Sequence, residues 1–302
     1  SYRTTGLGSE FSFENAGSRY DLEVRGVESL QDNVQASLNV NGTSGDDLFT
    51  LDSNLFSVNS VVDVGYSNKH DITISGKGGA DQVSIKSDIA ATGVVTFEAE
   101  TIDNSDAHTI TAAGLVLDSV TAGGSSTDRI LTNVDDLSIV NSGSVYVDSQ
   151  GNLNLADMSA TGAVDIIAAG DVSSTAELST AHALSIDAQG NINLSNADNQ
   201  LNGPLTFTAG GGTANTTISS AGDINLAMVN TGDLTITSLG AISSSGSVLV
   251  NGHSEFATQG DIILGSSIDL FSVTTSGNNV VITDANLLDE VNVTAAGNAS
   301  VN

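Results

Sequence analysis

The chain has 302 residues, 36 of them Asp or Glu against seven Lys or Arg, for a formal charge of −29. That balance leaves no basic footprint for nucleic acid and sets the chain against an anionic membrane surface. With no Cys, no Trp, four Tyr and eight Phe, disulfide and thiol chemistry are excluded, and burial rests on many modest aliphatic contacts.

Residues 1–130 read as a less regular β-solenoid or a capping region. Tyr2, Phe11, Phe13, Tyr20, Phe49, Phe56, Tyr66 and Phe97 gather there, as expected where an open stack of coils is covered. "HDITISGKGG" (70–79) places Ile72 and Ile74 before Gly78, and "HTITAAG" (108–114) repeats half of that phrase. "GTSGDDLFT" (42–50) and "GKGGADQVS" (76–84) resemble single copies of a calcium-binding nonapeptide, in which Asp47 and Asp81 would supply carboxylates. Such sites need copies on neighbouring turns, and these two copies stand well apart in the sequence. The reading set against calcium is therefore an Asp-capped glycine turn. No cofactor is assigned, and structural calcium stays open.

Residues 131–302 repeat one phrase: apolar, any, apolar, three of any kind, then Gly. Val145 and Val147 lead to Gly151, Val164 and Ile166 to Gly170, and Leu184 and Ile186 to Gly190. Leu205 and Phe207 point to Gly211. Leu234 and Ile236 precede Gly240, Ser254 and Phe256 precede Gly260, Phe271 and Val273 precede Gly277, and Val291 and Val293 precede Gly297. The period is about 20 residues, within the range of solenoid repeats. The interval from Gly211 to Gly240 is longer, and an insertion or loop is expected there. A second alternating stretch follows the glycine in "GNLNL" (151–155), "GNINL" (190–194), "GDINL" (222–226) and "GDIIL" (260–264).

Period two predicts strand, and the glycine predicts a turn, through a positive φ or a bend that a Cβ would block. Two or three short strands per repeat predict an all-β fold, a right-handed parallel β-helix (β-solenoid) whose coils bury their apolar faces by stacking. A β-sandwich is the rival, but its hairpins would show Asn-Gly or Asp-Gly turns at closer, regular spacing.

The phrases "GAVDIIAAGDV", "HALSIDAQGNINL", "SSAGDINL" and "TGDLTITSLGAI" resemble the filamentous haemagglutinin-like repetitive adhesins of bacteria, over residues 130–302. The resemblance implies a β-helical shaft of an exported surface or matrix protein, of which this chain would be an interior portion, since the family's secretion domain is not recognisable. The opening "SYRTTGLGSE" lacks a signal-peptide pattern and "AAGNASVN" stops in mid-phrase, which fits a processed chain or a segment.

Catalytic readings are weak. Asp46–Asp47, Asp135–Asp136 and Asp289–Glu290 are adjacent acids, and neighbours on a strand face opposite sides rather than across a cleft. No Lys or Arg follows Arg129 to assist lyase chemistry, and His70, His108, His182 and His253 show no ligand spacing. Lys77 among glycines lacks the phosphate-loop spacing, and Thr206/Thr208 with Thr235/Thr237 would form an ice-binding face only if repeated on every coil. The expectation is therefore no catalytic, cofactor or metal residues, and no enzyme. The chain reads as an extracellular structural rod for cell adhesion or biofilm matrix. Its expected partners are glycans, other surface molecules or copies of itself, with no membrane insertion. The alternatives are a self-assembling filament or surface-layer subunit and, from another class, a carbohydrate-active β-helix enzyme or carbohydrate-binding module.

Overall fold

The computed structural model describes residues 35–302 apart from 53, 61, 62, 119, 175 and 287. Before them it describes the strands Tyr2–Thr5, Gly8–Asn15, Ser18–Val24 and Ser29–Asp32. The side chains of Tyr2, Phe11, Phe13 and Tyr20 lie outside the described residues. The regular structure is β throughout, and no described helix is long and apolar enough to cross a membrane. Parallel strands stack coil upon coil at the period read from the sequence, forming a β-solenoid. The chain divides into two compact units, Ser1–Asp148 and Ser149–Asn302.

The first unit opens on antiparallel pairs, Tyr2–Thr5 with Gly8–Asn15 and Gly8–Asn15 with Ser18–Val24. Parallel pairing already joins Tyr2 to Val40 and Ser29–Asp32 to Asp63–Tyr66, and Leu38–Asn41 pairs in parallel with Ile72–Ser75; that strand pairs with Val94–Glu98, and Val94–Glu98 with Thr109–Asp118. The step from Leu38–Asn41 to Ile72–Ser75 is long because Leu48–Asp52 turns back antiparallel onto Leu55–Val58, an excursion within one coil. Leu48–Asp52 also pairs in parallel with Gln82–Ile85, so two stretches distant in sequence become neighbours on consecutive coils. Phe49, Phe56, Tyr66 and Phe97 are buried, filling this wider part of the core. Burial pushes the Tyr66 hydroxyl up to about 12.

The second unit is more regular. On a first wall Val164–Ala168 pairs with Leu184–Ala188, and that strand with Pro204–Ala209. On a second wall Val172–Ser174 pairs with Ile192–Leu194, then come Thr216–Ser220, Leu234–Ser238 and the segment Ser254–Thr258. On a third, Met158–Ala160 stacks on Leu178–Thr180, and further along Ile224, Ile242, Ile262 and Val280 follow one another. Inward positions alternate with outward ones, so Leu184, Ile186 and Ala188 are buried while Ser185 and Asp187 are partly exposed. Each fully buried aliphatic contributes about 1.5–3 kcal/mol, and stacking makes every coil the lid of its neighbour.

The loop expected between Gly211 and Gly240 is present, and the register shows where it lies. The interval holds two paired strands, Thr216–Ser220 and Ile224–Thr231, and the extra length is the loop Gly210–Asn215. Gly210, Gly211 and Gly212 take positive φ there, a conformation open to glycine. The apparent gap arises because one phrase serves two walls. Leu184 and Ile186 belong to the first wall, whereas Leu234 and Ile236 belong to the second. Phe271 is a correction. It is 55% exposed because the chain turns a corner between Leu270 and Ser272, both buried, and Thr275 takes the inward place beside Val273. Val291 also lies 45% exposed, on a strand covered by Ser272–Gly277 on one side.

Candidate functional site: turn carboxylates and corner ladders

The two glycine-rich turns that resemble calcium loops come together. Asp47 and Asp81 are both buried, and the backbone N–H of Asp47 donates to Asp81 Oδ1 at 2.8 Å. Asp47 Oδ2 accepts from Thr43 N–H at 2.6 Å and from the Thr43 hydroxyl at 3.0 Å, while Asp47 Oδ1 accepts from Asn59 Nδ2 at 2.6 Å. Asp46 Oδ1 accepts from Ala80 N–H, and Glu100 Oε2 accepts from Asp81 N–H at 2.7 Å. Glu100 has no signal in the nonapeptide pattern; it joins the column because Thr101 stacks on Gln82.

These bonds decide the chemistry. Calcium needs six to eight oxygens with free lone pairs, whereas here N–H and O–H donors aim at the carboxylates. Among the described residues no three His, Asp or Glu side chains converge on a metal position. The arrangement does not fit calcium; it is an Asp-capped pair of turns. The glycines make room for the caps: a Cβ at Gly76 would lie 1.9 Å from Asp81 Oδ2, and one at Gly42 would lie 2.6 Å from Asp47 Oδ2. Burial raises the Asp81 carboxyl, the Asp47 N–H bond lowers it, and the charges of Glu100, Asp47 and Asp46 raise it again, leaving it above its ordinary value.

The remaining predicted residues stay dispersed. Asp46 is exposed and Asp47 buried, as alternation requires, but Asp135 and Asp136 are both exposed, and so are Asp289 and Glu290. For Asp135–Asp136 the cause is a corner: Ala112 pairs with Val134 and Gly114 with Asp136, so the chain bends between them. His70 Nδ1 lies 2.9 Å from Asp71 Oδ1, His108 Nδ1 lies 3.6 Å from Asp88 Oδ1, and His253 Nδ1 lies 2.8 Å from Ser272 Oγ. His182 is exposed and lends its backbone: its carbonyl lies where a Cβ on Gly203 would fall. Lys77 sits in its glycine turn at φ 78°. Thr206 and Thr208 lie on the first wall and Thr235 and Thr237 on the second, so the two pairs share no face.

What sequence reasoning missed is a ladder at the corners of the second unit. Asn152 Oδ1 accepts from Asp171 N–H at 2.9 Å, and Asp171 Oδ1 accepts from Asn191 N–H at 2.6 Å. Asn191 Oδ1 then accepts from Asn215 N–H, Asn215 Oδ1 from Asp233 N–H, and Asp233 Oδ1 from His253 N–H. A second corner repeats the device, with Asp223 Oδ1 accepting from Ala241 N–H and Asp261 Oδ1 from Asn279 N–H. Each side chain satisfies the turn amide of the next coil, a donor that would otherwise lack a sheet partner.

The ladder explains the glycines that stand just before its turn amides. A Cβ on Gly170, Gly190, Gly240 or Gly252 would lie 2.1–2.3 Å from the side-chain oxygen of Asn152, Asp171, Asp223 or Asp233 respectively. None of these four glycines has a positive φ. Of the two roles expected for glycine, close approach is the one used here. Part of the signal was visible, in Gly170-Asp171 and Gly190-Asn191 spaced by one period, but its meaning needed the register. Inside the coil, Asn199 is fully buried; its Oδ1 accepts from Leu178 N–H, and its Nδ2 donates to the Leu194 and Ser219 carbonyls.

A family profile described as "Repeats of unknown function (DUF5649)" matches residues 142–208 and 213–276. The join between the two matches falls within the Gly210–Asn215 loop, where the coil lengthens. No match was found among curated proteins or among solved structures. Each match spans about three coils, so what the profile marks is a repeated group of coils.

Proposed function

We propose that the chain is a structural segment of an exported bacterial surface adhesin or matrix fibre, a stiff spacer that projects an adhesive surface and carries no reaction centre. The observation that carries this reading is the use of the acidic and amide side chains. Asp171, Asp223, Asp233 and Asp261 each point an oxygen at a backbone N–H of the following coil. Carboxylates spent in this way hold coils together. The profile that matches twice in succession supports the same reading, and the high negative charge favours solubility.

Two assays test it. Beads coated with the purified chain should adhere to cell-surface or matrix glycans above uncoated beads, and electron microscopy should show particles of one constant width. Release of reducing ends from a polysaccharide panel, or beads that adhere no better than uncoated ones, would overturn the proposal.

A further inference from the structure

The second wall of the second unit presents a regular and nearly uncharged outward face on an acidic chain. Its central outward column runs Ser173, Asn193, Thr217, Thr235, Glu255 and Thr274, each stacked in register on the last. A parallel column lies two residues further along each strand: Ser219, Thr237, Ala257, Ser276 and Thr294. Together these make a two-column lattice of small hydroxyl and amide groups, with steps of about 4.8 Å between coils and about 6.6 Å along each strand. Glu255 is the single charge in it. The corners on either side carry Asp171 and Asp233 on one flank and Asp223 and Asp261 on the other.

We propose that this face binds an extended, neutral β-1,4-linked polysaccharide lying along the stack, about one sugar for each coil. The inference rests on the adhesin reading and names its ligand class. Charge selects the class: Glu255 and the bordering carboxylates repel uronate, sulfate and sialate, while a neutral chain brings no charge of its own to be desolvated. Periodicity selects the shape, because a regular polymer can engage every coil, and individually weak hydroxyl contacts gain strength through repetition. The step between coils is close to the length of one hexose in an extended chain. The unit has no Trp or Tyr to stack on sugar rings, so recognition falls to hydrogen bonds across a flat face.

The test is pull-down of the full chain on microcrystalline cellulose, with alginate gel as the anionic comparison and ice-recrystallisation inhibition as a separate readout. The wild type should bind cellulose with little dependence on salt and should not bind alginate. The variant Thr217→Asp/Thr235→Asp/Thr274→Asp should lose at least tenfold in apparent affinity. Ser185→Asp/Thr206→Asp, which adds charge on the first wall, should bind as the wild type does. Thr235→Ala/Thr237→Ala removes hydroxyls without adding charge and should weaken binding several-fold, which keeps the test valid if the triple variant misfolds. Absence of cellulose binding, a preference for alginate, unchanged binding by the second-wall variants, or ice inhibition without cellulose binding overturns the proposal. If the face fails while coated beads still adhere, the ligand assignment falls and the adhesin reading stands; if the beads also fail, both fall.

Discussion

Gly190→Ala and Gly151→Ala make the same change in nearly the same local sequence, "AQGNINL" and "SQGNLNL", yet the structure gives them opposite outcomes. A Cβ at Gly151 meets nothing within 4 Å, whereas one at Gly190 lies 2.1 Å from Asp171 Oδ1 and 2.9 Å from Asp171 N. The carboxylate must retreat by roughly 1 Å, which stretches its 2.6 Å bond from Asn191 N–H beyond hydrogen-bonding range. Loss of that bond costs about 1–2 kcal/mol, and the crowding adds about 1–2 kcal/mol, so Gly190→Ala should destabilise by about 2–4 kcal/mol. Gly151→Ala should be neutral or stabilise by up to about 1 kcal/mol, through a less flexible unfolded chain. Asp171→Ala removes the obstructing oxygen but leaves the 2.9 Å approach to the backbone nitrogen, so adding Gly190→Ala to it should cost about 1–2 kcal/mol, less than in the wild type. Urea denaturation of the four variants yields the coupling energy. Equal effects at Gly151 and Gly190, or strict additivity of Gly190→Ala with Asp171→Ala, would refute the ladder as the reason for these glycines.

Four further outcomes are expected. Asn199→Leu strands the Leu178 N–H and the Leu194 and Ser219 carbonyls; it should cost about 2–4 kcal/mol and speed hydrogen exchange at Leu178. The raised Asp81 carboxyl means that the folded state holds this proton more tightly than the unfolded chain does, so Asp81 contributes most at low pH and loses ground as pH rises through its folded value. Asp81→Asn should accordingly be more favourable, relative to wild type, at pH 7 than at pH 3 in paired urea titrations. At Asp71, burial acts upward but is outweighed by bonds from Val94 N–H, His70 and Ser37 and by the His70 charge, so its contribution is present above the ordinary carboxyl value and lost as pH falls. EDTA and added calcium should both leave the melting temperature unchanged, because both Asp47 oxygens and Asp81 Oδ1 already accept hydrogen bonds.

The coil was legible because alternation at Leu184/Ile186 or Leu234/Ile236 needs only a local period of two. The wall on which each phrase lies was not legible. The same pattern suits any wall of a coil, and a short loop at Gly210–Asn215 changes the phase without changing the phrase. Phe271 misled for a related reason: at a corner, alternation shifts by one, and the bulky residue falls outside. Gly-Asx pairs stood in plain sight, but a contact to a residue one coil earlier is a property of stacking. The sequence distance between Asp47 and Asp81 hid their contact because a hairpin lengthens the coil between them.

The stacking itself can be measured directly, since a chain without cysteine accepts pairs of spin labels cleanly. With one label at Thr274 and the second in turn at Asn193, Ser173 and Asn154, the partners lie four, five and six coils away along the same column. Electron–electron dipolar spectroscopy should return about 19, 24 and 29 Å, rising by about 4.8 Å for each coil. Distances that fail to rise in steps of one strand spacing, as packed antiparallel hairpins would give, would contradict the parallel coil.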